Sequence, residues 1–598
     1  MFLGLLSTVA RHLAVHSLSM DEMYCLIRLT ALGCELVSGR ICCVRLLFER
    51  VPELSTVRQH VARTRHGQMW GIRTAVSITF AVLAVVVSGC GSQSPAGPGN
   101  PGGRPDSMVR ISTGELRGTV TATHRLFQGI PYAAPPVGPL RWAPPVTPAP
   151  WGGVWDATRP GAACSQQPSP EVDPGTPTSE DCLFLNVWTP IEGRANHPVL
   201  VWLPGGAFVS GRGDRYSAQR LVEAADLVVV TINYRLGALG FLAHPALAHD
   251  GGQVGNFGLM DQQAALRWVR DNIAAFGGDP HQVTIAGQSA GAMSVCDHLV
   301  SPASAGLFRA AILQSPPCEA QGTEQAAEKA SISYASAHGC GQSEPAVAAS
   351  CLRALPASQL LDAPAFFSLG GVEIPGPVTG GELLPLAPPQ AMAQGKAARV
   401  PTLIGTNHDE FRFFLAEQFQ ATKQVLTPDQ YPAALAAVAG PNALAHYPLS
   451  RFGGQAPIAF SAVATDGGFA CITSEMAHAL SAAAPVYEYE FNDATAPVPA
   501  SVAGTPFPLG AAHSLELPYL FELNGLTLNA AQQQLSRQMI DYWASFVDTQ
   551  TPSAPKAPVW PQRQPGGEVL SLAPGTSSTS NDFDQQHQCA FWATQRPL

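Results

Sequence analysis

The sequence predicts an α/β fold with a large, mostly parallel central sheet that is flanked by helices. Short apolar runs rich in β-branched residues recur along the chain, at 182–188, 198–203, 226–234, 283–287, 310–314, 400–405 and 485–491. Continuous apolar runs are typical of strands that are covered on both faces. Helical patterns separate several of these runs, and strands that alternate with helices favour an open parallel sheet.

Two segments show helical periodicity. In residues 261–278, Leu266, Val269 and Ile273 lie on one helical face, and a glycine pair ends the pattern. Residues 530–548 predict a long helix near the C-terminus. We find no internal repeat and no change of composition after residue 107, so we predict one domain over 108–598.

The composition is that of a globular protein without a nucleic-acid partner. Of the 598 residues, 46% are hydrophobic and 13% are charged, which favours a large interior. The formal net charge is -10, and no basic stripe is present to neutralise phosphates. No feature of the sequence indicates an oligomeric state.

The N-terminal part has the features of an export signal. Residues 74–89 form an apolar run that follows Arg73 and ends at Cys90. A positive start, an apolar run and a small-residue exit are the parts of a secretory signal. The letters VSGC at its end resemble a bacterial lipoprotein box, so we expect lipidation of Cys90. The alternative, a membrane-spanning anchor, needs about 20 apolar residues, and this run is shorter.

We therefore expect four regions in the chain. Residues 1–68 are predicted to be an extension misassigned upstream of a true start at Met69, 69–89 a lipoprotein-type signal, 90–107 a flexible linker and 108–598 the folded domain. The expected location is the cell envelope, with a lipid anchor at Cys90, or the medium as a secreted protein. The membrane is expected to be a partner only through that anchor.

Cysteine usage agrees with an oxidising destination. Outside the presumed leader and the lipid site, the cysteines are Cys164, Cys182, Cys296, Cys318, Cys340, Cys351, Cys471 and Cys589. An even number in an exported chain favours disulfides over metal, and no closely spaced zinc-type pair is visible. We predict no metal site. Spacing alone leaves the connectivity open, although Cys164–Cys182 and Cys340–Cys351 would close short loops.

The stretch TIAGQSAGAMSV, residues 284–295, predicts a nucleophilic serine at Ser289. In G-x-S-x-G after a strand, the two glycines let strand and helix approach at a sharp turn, which exposes the serine hydroxyl in a strained conformation. The N-terminus of the following helix would favour negative charge there. An ordinary glycine-rich turn carries the same motif, but the strand before it and the helix after it favour the nucleophile.

A serine nucleophile requires a base that is oriented by a third group. In this type of sheet the chain order is serine, acid, histidine. His513 lies in a small-residue loop after the run at 485–491, where a base at the carboxyl edge of the sheet belongs. Asp409 and Glu410 follow the run at 400–405, and position alone leaves both open as the acid.

Donors for a developing oxyanion are predicted at the turn in VWLPGGAFVSG, residues 201–211. Its small residues expose backbone N–H groups after a strand. Together with the amide of Ala290, the turn would supply three donors. A plain tight turn is the alternative interpretation.

These motifs together resemble the type B carboxylesterase and cholinesterase family of α/β-hydrolases. The resemblance covers 108–598 and rests on EDCLFLNVW, VWLPGGAFVSG, NYRLGALGFL, GNFGLMDQQAALRWVRDNIAAFGGDP, GQSAGA, GTNHDE and GAAHSLELPYLF. It implies an α/β-hydrolase fold, Ser289 as nucleophile, His513 as base and Glu410, rather than Asp409, as acid. It assigns the oxyanion donors to Gly206, Ala207 and Ala290, and it implies no cofactor and no metal.

The resemblance also implies parts of the scaffold. The implied disulfides are Cys164–Cys182, Cys340–Cys351, Cys471–Cys589 and, for the two remaining cysteines, Cys296–Cys318. Two structural ion pairs are implied, Arg141 with Glu180 and Arg235 with Asp261. Ser315 corresponds to a serine that lies near the acid in the family.

The sequence departs from the family pattern beside the nucleophile and in one loop. Gln288 stands where most members have glutamate, which removes a buried negative charge. The loop 165–181 contains no tryptophan, which argues against a choline ester as substrate. We expect a serine carboxylic-ester hydrolase that acts on neutral small-to-medium esters through an acyl-enzyme. A lipase or amidase of the same fold is the alternative, and a non-catalytic surface binding protein is the rival from another class.

Overall fold

The computed structural model describes residues 107–595 apart from 170–174, 192–195, 249–252, 364–366, 370–371 and 524. It also describes two antiparallel strands, Glu35–Val37 and Arg40–Cys42. The chain divides into two compact units, one formed mainly by 104–598 and the other by 3–103. Apart from this strand pair and Ser107, the predicted extension, signal and linker, with Cys90, lie outside the described residues.

The larger unit is built on an eleven-stranded mixed sheet. Its strands are β1 (Thr119–Val120), β2 (His124–Pro131), β3 (Phe184–Pro190), β4 (His197–Leu203), β5 (Val228–Ile232), β6 (Gly278–Gln288), β7 (Ala310–Gln314), β8 (Thr402–Asn407), β9 (Val486–Phe491), β10 (Val569–Leu572) and β11 (Ser578–Ser580). Their order in space is β11-β10-β9-β8-β7-β6-β4-β5-β3-β2-β1.

The centre of the sheet is parallel, as predicted. Strands β10 to β5 in the spatial order pair parallel, whereas β11, β3, β2 and β1 add antiparallel edges. Each of the seven predicted apolar runs contributes a strand. The run at 182–188 forms β3, which is antiparallel to both of its neighbours. The sequence could not predict this direction, because a strand that is covered on both faces is apolar whether it is parallel or antiparallel to its neighbours.

Helices cover both faces of the sheet. In chain order they are α1 (Gln219–Ala225), α2 (Gly237–Phe241), α3 (Phe257–Asn272), α4 (Ala290–Val300), α5 (Glu324–Ala337), α6 (Pro345–Ala354), α7 (Pro388–Ala393), α8 (Arg412–Thr422), α9 (Tyr431–Ala439), α10 (Ala443–His446), α11 (Ala456–Thr465), α12 (Cys471–Ser481), α13 (Ala530–Thr549), α14 (Phe583–Gln586) and α15 (Cys589–Gln595). Both predicted helices are present, as α3 and α13.

The alternation of side chains along each strand produces two separate cores. On β4, Leu200 and Trp202 pack into the core that α8 and α13 cover. Val199 and Val201 point to the other face and pack with α3, α4 and α12. Because successive side chains of a strand point to opposite faces, a strand that is buried on both sides is predominantly apolar on both faces.

Short strands complete the fold at its periphery. A three-stranded sheet contains Met108–Ile111, Gly114–Arg117 and Val154–Asp156. Two-stranded pairs are formed by Ala163–Cys164 with Thr178–Ser179, Gly322–Thr323 with Val378–Thr379, and Phe367–Leu369 with Val372–Ile374.

One helical stretch among the described residues is long and apolar enough to cross a membrane. It runs from Ala456 to Ser481 and comprises α11, a π-helical turn at Asp466–Ala470 and α12. Of its most apolar window, 72% is buried inside the fold. This stretch is therefore part of the protein core.

The scaffold contacts implied by the resemblance are present. The four disulfides are Cys164–Cys182, Cys296–Cys318, Cys340–Cys351 and Cys471–Cys589. Arg141 contacts both carboxylate oxygens of Glu180, at 2.6 and 2.5 Å. Arg235 contacts both oxygens of Asp261 at 2.7 Å, and this second pair is fully buried.

We predict that Asp261→Ala lowers the free energy of unfolding by about 3–5 kcal/mol, because it leaves the Arg235 guanidinium buried without its counter-ion. Urea denaturation followed by tryptophan fluorescence measures this change. The control is Glu115→Ala in the exposed pair with Arg110, whose side chains are 77% and 44% accessible. It should change stability by less than about 1 kcal/mol. Equal effects of the two variants would contradict the prediction.

Candidate active site

Ser289 lies at a sharp turn between β6 and α4. Its backbone has φ 57° and ψ −126°, a conformation that residues other than glycine rarely adopt. A Cβ on Gly287 would lie 2.4 Å from the carbonyl carbon of Gly291, and one on Gly291 would lie 2.0 Å from the carbonyl oxygen of Leu203. Both glycines are therefore required by the close approach of β4, β6 and α4.

The turn presents the serine at an otherwise buried edge. From 283 to 299, every residue except Ser289 is buried, and Ser289 is partly exposed. Its amide donates to the carbonyl of Gln314 at the end of β7, at 3.0 Å, and its carbonyl accepts from Met293 in α4, at 2.9 Å. These two hydrogen bonds hold the strained residue from both sides.

Glu410 and His513 form a close pair. Glu410 lies in the turn after β8 and is fully buried. Its Oε2 lies 2.5 Å from Nδ1 of His513, and its Oε1 accepts from Thr406 Oγ1 at 2.8 Å and from the amide of Asn407 at 2.7 Å. These contacts place a proton on Nδ1 of the neutral imidazole and leave Nε2 as the basic atom.

Burial lowers the pKa of His513, but the nearby carboxylates, chiefly Glu410 with smaller effects of Glu516 and Glu417, together outweigh it. Burial by itself lowers the pKa of the imidazole, because it disfavours the charged form. The Glu410 carboxylate acts in the opposite direction, by charge and by hydrogen bond, and the net result is a pKa above the ordinary value of 6.5. An imidazolium formed on His513 is therefore stabilised.

Asp409, the other acid that position had left open, has different partners. Its carboxylate pairs with Arg412 at 2.7 Å and accepts from the amide of Ala511 at 3.0 Å. Glu410, and not Asp409, therefore faces His513.

Ser289 and His513 are not hydrogen bonded to each other among the described residues. Nε2 of His513 instead lies 3.1 Å from Nε2 of Gln288, the residue just before the serine. With Nδ1 protonated, Nε2 accepts a hydrogen bond from the Gln288 amide. Hydrogen bonds between catalytic groups are often long or poorly aligned without substrate.

The glycine-rich turn after β4 lies directly against the serine. A Cβ on Gly205 would lie 3.1 Å from Cβ of Ser289. Gly206 and Ala207 have φ of 114° and 52°. The amides of these two residues donate to no acceptor within the described part of the chain. Ala290, the first residue of α4, has a helix N-terminal amide of the kind that lacks an intrahelical acceptor.

Neighbouring segments hold this turn in place. The carbonyl of Pro204 accepts from the hydroxyl of Tyr234 at 2.7 Å. The amide of Gly211 donates to Gln166 Oε1 at 2.8 Å, and its carbonyl accepts from Nε2 of the same side chain at 3.0 Å. The position of the candidate oxyanion donors thus depends on the segment that begins at the Cys164–Cys182 disulfide.

Aromatic rings surround the imidazole. The ring centroids of Phe414 and Phe469 lie 5.0 and 5.2 Å from that of His513. Phe414 lies in the first turn of α8, which starts at Arg412, and it follows Glu410 by four residues. The surroundings of the base are therefore apolar on the side that these rings cover.

A second buried carboxyl, Glu516, was not identified from the sequence. It accepts from Asn407 Nδ2 at 2.7 Å and from Gln314 Nε2 at 3.1 Å. Burial and the nearby charge of Glu410 raise the pKa of Glu516 to about 7. The signal in the sequence was an acidic residue inside the apolar stretch LELPYLF, three positions after the histidine.

Ser315 also lies beside the acid turn. Its amide donates to the carbonyl of Gly405 in β8 at 2.7 Å, and its φ is 51°. Its hydroxyl is buried and makes no hydrogen bond to any described residue. The serine is therefore hydrogen bonded to the strand that leads to Glu410, and no hydrogen bond among the described residues joins it to Glu410.

Comparison with known proteins agrees with this geometry. A model of the carboxylesterase family matches residues 105–592. An acylcarnitine hydrolase of Mus musculus is 34% identical over 528 residues, which are 82% of this chain and 91% of the relative. A cocaine esterase of Homo sapiens is 32% identical over 556 residues, 88% of this chain and 95% of the relative.

Solved structures show the same fold. A PNB esterase superposes with a TM-score of 0.70 at 33% sequence identity, and the match covers 81% of this chain and 99% of that chain. A thermophilic PNB esterase superposes with a TM-score of 0.69 at 32% identity. The sheet, the turn at Ser289 and these likenesses agree: the chain belongs to the carboxylesterase family, has the α/β-hydrolase fold and is a serine hydrolase of carboxylic esters.

Proposed function

We propose that Ser289, His513 and Glu410 perform the ester hydrolysis as nucleophile, base and orienting acid. The observation that carries the proposal is the 2.5 Å contact of His513 Nδ1 with Glu410 Oε2, next to a serine that its backbone holds at φ 57°. Nε2 is then the atom that receives the proton of the serine hydroxyl, after it exchanges Gln288 for Ser289 as its partner. Glu410 stabilises the imidazolium without taking its proton.

The reaction has two halves. Ser289 Oγ attacks the ester carbonyl, and the oxyanion that forms is stabilised by the amides of Gly206, Ala207 and Ala290. His513 then donates its proton to the leaving alcohol, which produces an acyl-enzyme and frees the alcohol. Water attacks the acyl-enzyme with His513 again as base, and the acid is released.

The proposed substrates are neutral esters of small to medium size. Gln288 contributes no charge beside the nucleophile, and Phe414 and Phe469 provide an apolar surface near the base. The relatives are named for different substrates, as acylcarnitine hydrolase, cocaine esterase and pyrethroid hydrolase. Membership of the family therefore indicates that an ester bond is cleaved, whereas the pocket of each member determines which ester it binds.

We also propose export through the N-terminal region, with lipidation at Cys90. Four disulfides are consistent with an exported protein, because disulfides persist in oxidising compartments. The proposal retains the start at Met69, the signal at 69–89 and the linker at 90–107 that the sequence predicts.

Ser289→Ala should reduce kcat/KM for p-nitrophenyl esters by roughly 10⁴-fold or more, because the nucleophile is lost. A fluorophosphonate should add one label to the wild type, and peptide mass analysis should locate it at Ser289. Ser333→Ala on the exposed face of α5 is the control and should retain both activity and label.

Label on another serine would refute the assignment of the nucleophile. Faster cleavage of emulsified long-chain esters would favour a lipase, and faster cleavage of a matched amide would favour an amidase.

The rate should depend on pH through His513. Because only the neutral imidazole accepts the serine proton, kcat/KM should rise with pH, with the midpoint of the acid limb above 6.5. Glu410→Gln removes the charge that raises this pKa, so the midpoint should move to lower pH while the rate falls about 10³–10⁴-fold. The isosteric control, Asp409→Asn, should leave the midpoint unchanged. A shift in Asp409→Asn and none in Glu410→Gln would contradict the assignment.

The mass of the protein extracted from membranes should correspond to a chain that begins at a lipidated Cys90. Cys90→Ala should remove the lipid and release the protein from the membrane fraction, because a single acyl attachment site is lost. An unmodified N-terminus at Met1 would refute both the late start and the lipid. This measurement does not depend on esterase activity.

A further inference from the structure

A second group of titratable side chains lies outside the active site. His408 in the turn after β8, Glu490 on β9 and His587 after α14 meet at one point. Nδ1 of His408 lies 2.8 Å from Glu490 Oε1, and Nε2 of His587 lies 2.7 Å from the same oxygen. The three side-chain atoms all lie within 4.8 Å of one another.

Further side chains orient two of these groups. Asp466 Oδ1 lies 2.6 Å from Nδ1 of His587, which directs Nε2 of that ring towards Glu490. Asn492 Nδ2 donates to Glu490 Oε2 at 2.7 Å, which leaves Oε1 facing both histidines. A carboxylate on the remote nitrogen of a histidine, and a hydrogen bond on the remote oxygen of a carboxylate, are the usual outer contacts of metal ligands.

We propose that His408, Glu490 and His587 bind a divalent transition-metal ion of the zinc type. Two imidazole nitrogens and one carboxylate oxygen are a ligand set that zinc accepts, with bonds of about 2.0–2.2 Å. Tetrahedral ligands at that distance are about 3.4 Å apart. The two nitrogen–oxygen distances would therefore have to open by roughly 0.6–0.7 Å. His408 can move because its side chain is 41% exposed. The contact of His587 with Glu490 is buried, so it opens only if one of these two side chains shifts inside the fold.

Solvent reaches the group from two sides. Besides the exposed edge of His408, Glu490 lines a cavity of about 280 Å³ that is open to solvent. Asn492, Ser571 and Asp582 line the same cavity. An ion therefore has a polar route to the site, and a water molecule has room to complete its coordination.

The site would join segments that are distant in the chain. His408 lies two residues before Glu410, and His587 lies two residues before Cys589, which is bonded to Cys471. Asp466 begins the π-helical turn between α11 and α12, and such turns are frequent at functional sites. An ion here would hold the acid turn and the C-terminal segment together, so its expected effect is on stability rather than on the chemistry at Ser289.

The ligands could not be recognised as a spaced motif. Glu490 is 82 residues from His408 and 97 from His587, far beyond the spacing of a zinc motif. The same contacts would also suit two protonated histidines that donate to one carboxylate oxygen. Direct binding of metal separates these two possibilities.

The test uses the full-length, untagged chain after treatment with a chelator. Zn²⁺ is titrated in competition with a chromogenic chelator, and Co²⁺ is titrated with its visible absorption as the readout. We expect one more equivalent of Zn²⁺ on the wild type than on His408→Ala, and at least about tenfold weaker binding at this site in Glu490→Gln. Zn²⁺ should also raise the Tm of the wild type and not that of His408→Ala.

The control is His281→Ala, which removes an exposed histidine far along the chain from the cluster and should bind as the wild type does. The difference between variants is the readout, because cysteines before residue 107 can also bind zinc. Equal stoichiometry and affinity in the wild type and His408→Ala would overturn the proposal and leave a hydrogen-bonded ion network. His408→Ala carries the decision if Glu490→Gln does not fold, and neither result depends on esterase activity.

Discussion

The left-handed backbone of Ser289 is the constraint on which the rest of the site depends. A non-glycine residue in such a conformation costs about 1–3 kcal/mol and persists only where its surroundings fix it. Here the hydrogen bonds to Gln314 and from Met293 fix it, and Gly287 and Gly291 leave room for the backbones on either side. The same close packing brings the turn at Gly205 against the serine. One strained residue thus sets the position of the nucleophile and of the amides that face it.

The parallel order of the central strands explains why distant residues meet there. β6, β7 and β8 are neighbours and end at the same edge of the sheet. Gln288, Gln314 and Gly405 lie at one level, and Asn407 lies two residues further along β8. Asn407 donates to both the carbonyl of Ala512 and the carboxyl of Glu516, which ties the loop with His513 to the end of β8. The contact of His513 with Glu410 is therefore a consequence of strand order together with these side-chain hydrogen bonds and the backbone hydrogen bonds between the two segments.

The sequence was sufficient for the features that depend on backbone pattern. Seven apolar runs predicted seven of the eleven strands, and the glycines around Ser289 predicted the turn, because both follow from local sterics and period. It was not sufficient for contacts between side chains from different segments. The direction of β3, the carboxyl of Glu516 behind the acid and the contact of Gln288 with His513 all depend on tertiary packing. The choice of Glu410 over Asp409 came from family resemblance, since two adjacent carboxylates are equivalent by position in the sequence. The structure distinguishes them, because Arg412 forms an ion pair with Asp409.

Gln288 shows how a single neutral side chain changes the electrostatics of this edge. Its amide can donate to Nε2 of His513, and this donation favours the neutral imidazole with its lone pair at that atom. A glutamate at the same position could only accept, so it would favour a proton on Nε2 and hence the imidazolium. Glu410 already raises the pKa of His513, and burial with the Glu410 charge already raises that of Glu516. A third carboxylate would raise both further, because each added negative charge favours the protonated form of its neighbours. The amide therefore keeps more of His513 in the form that can accept a proton near neutral pH.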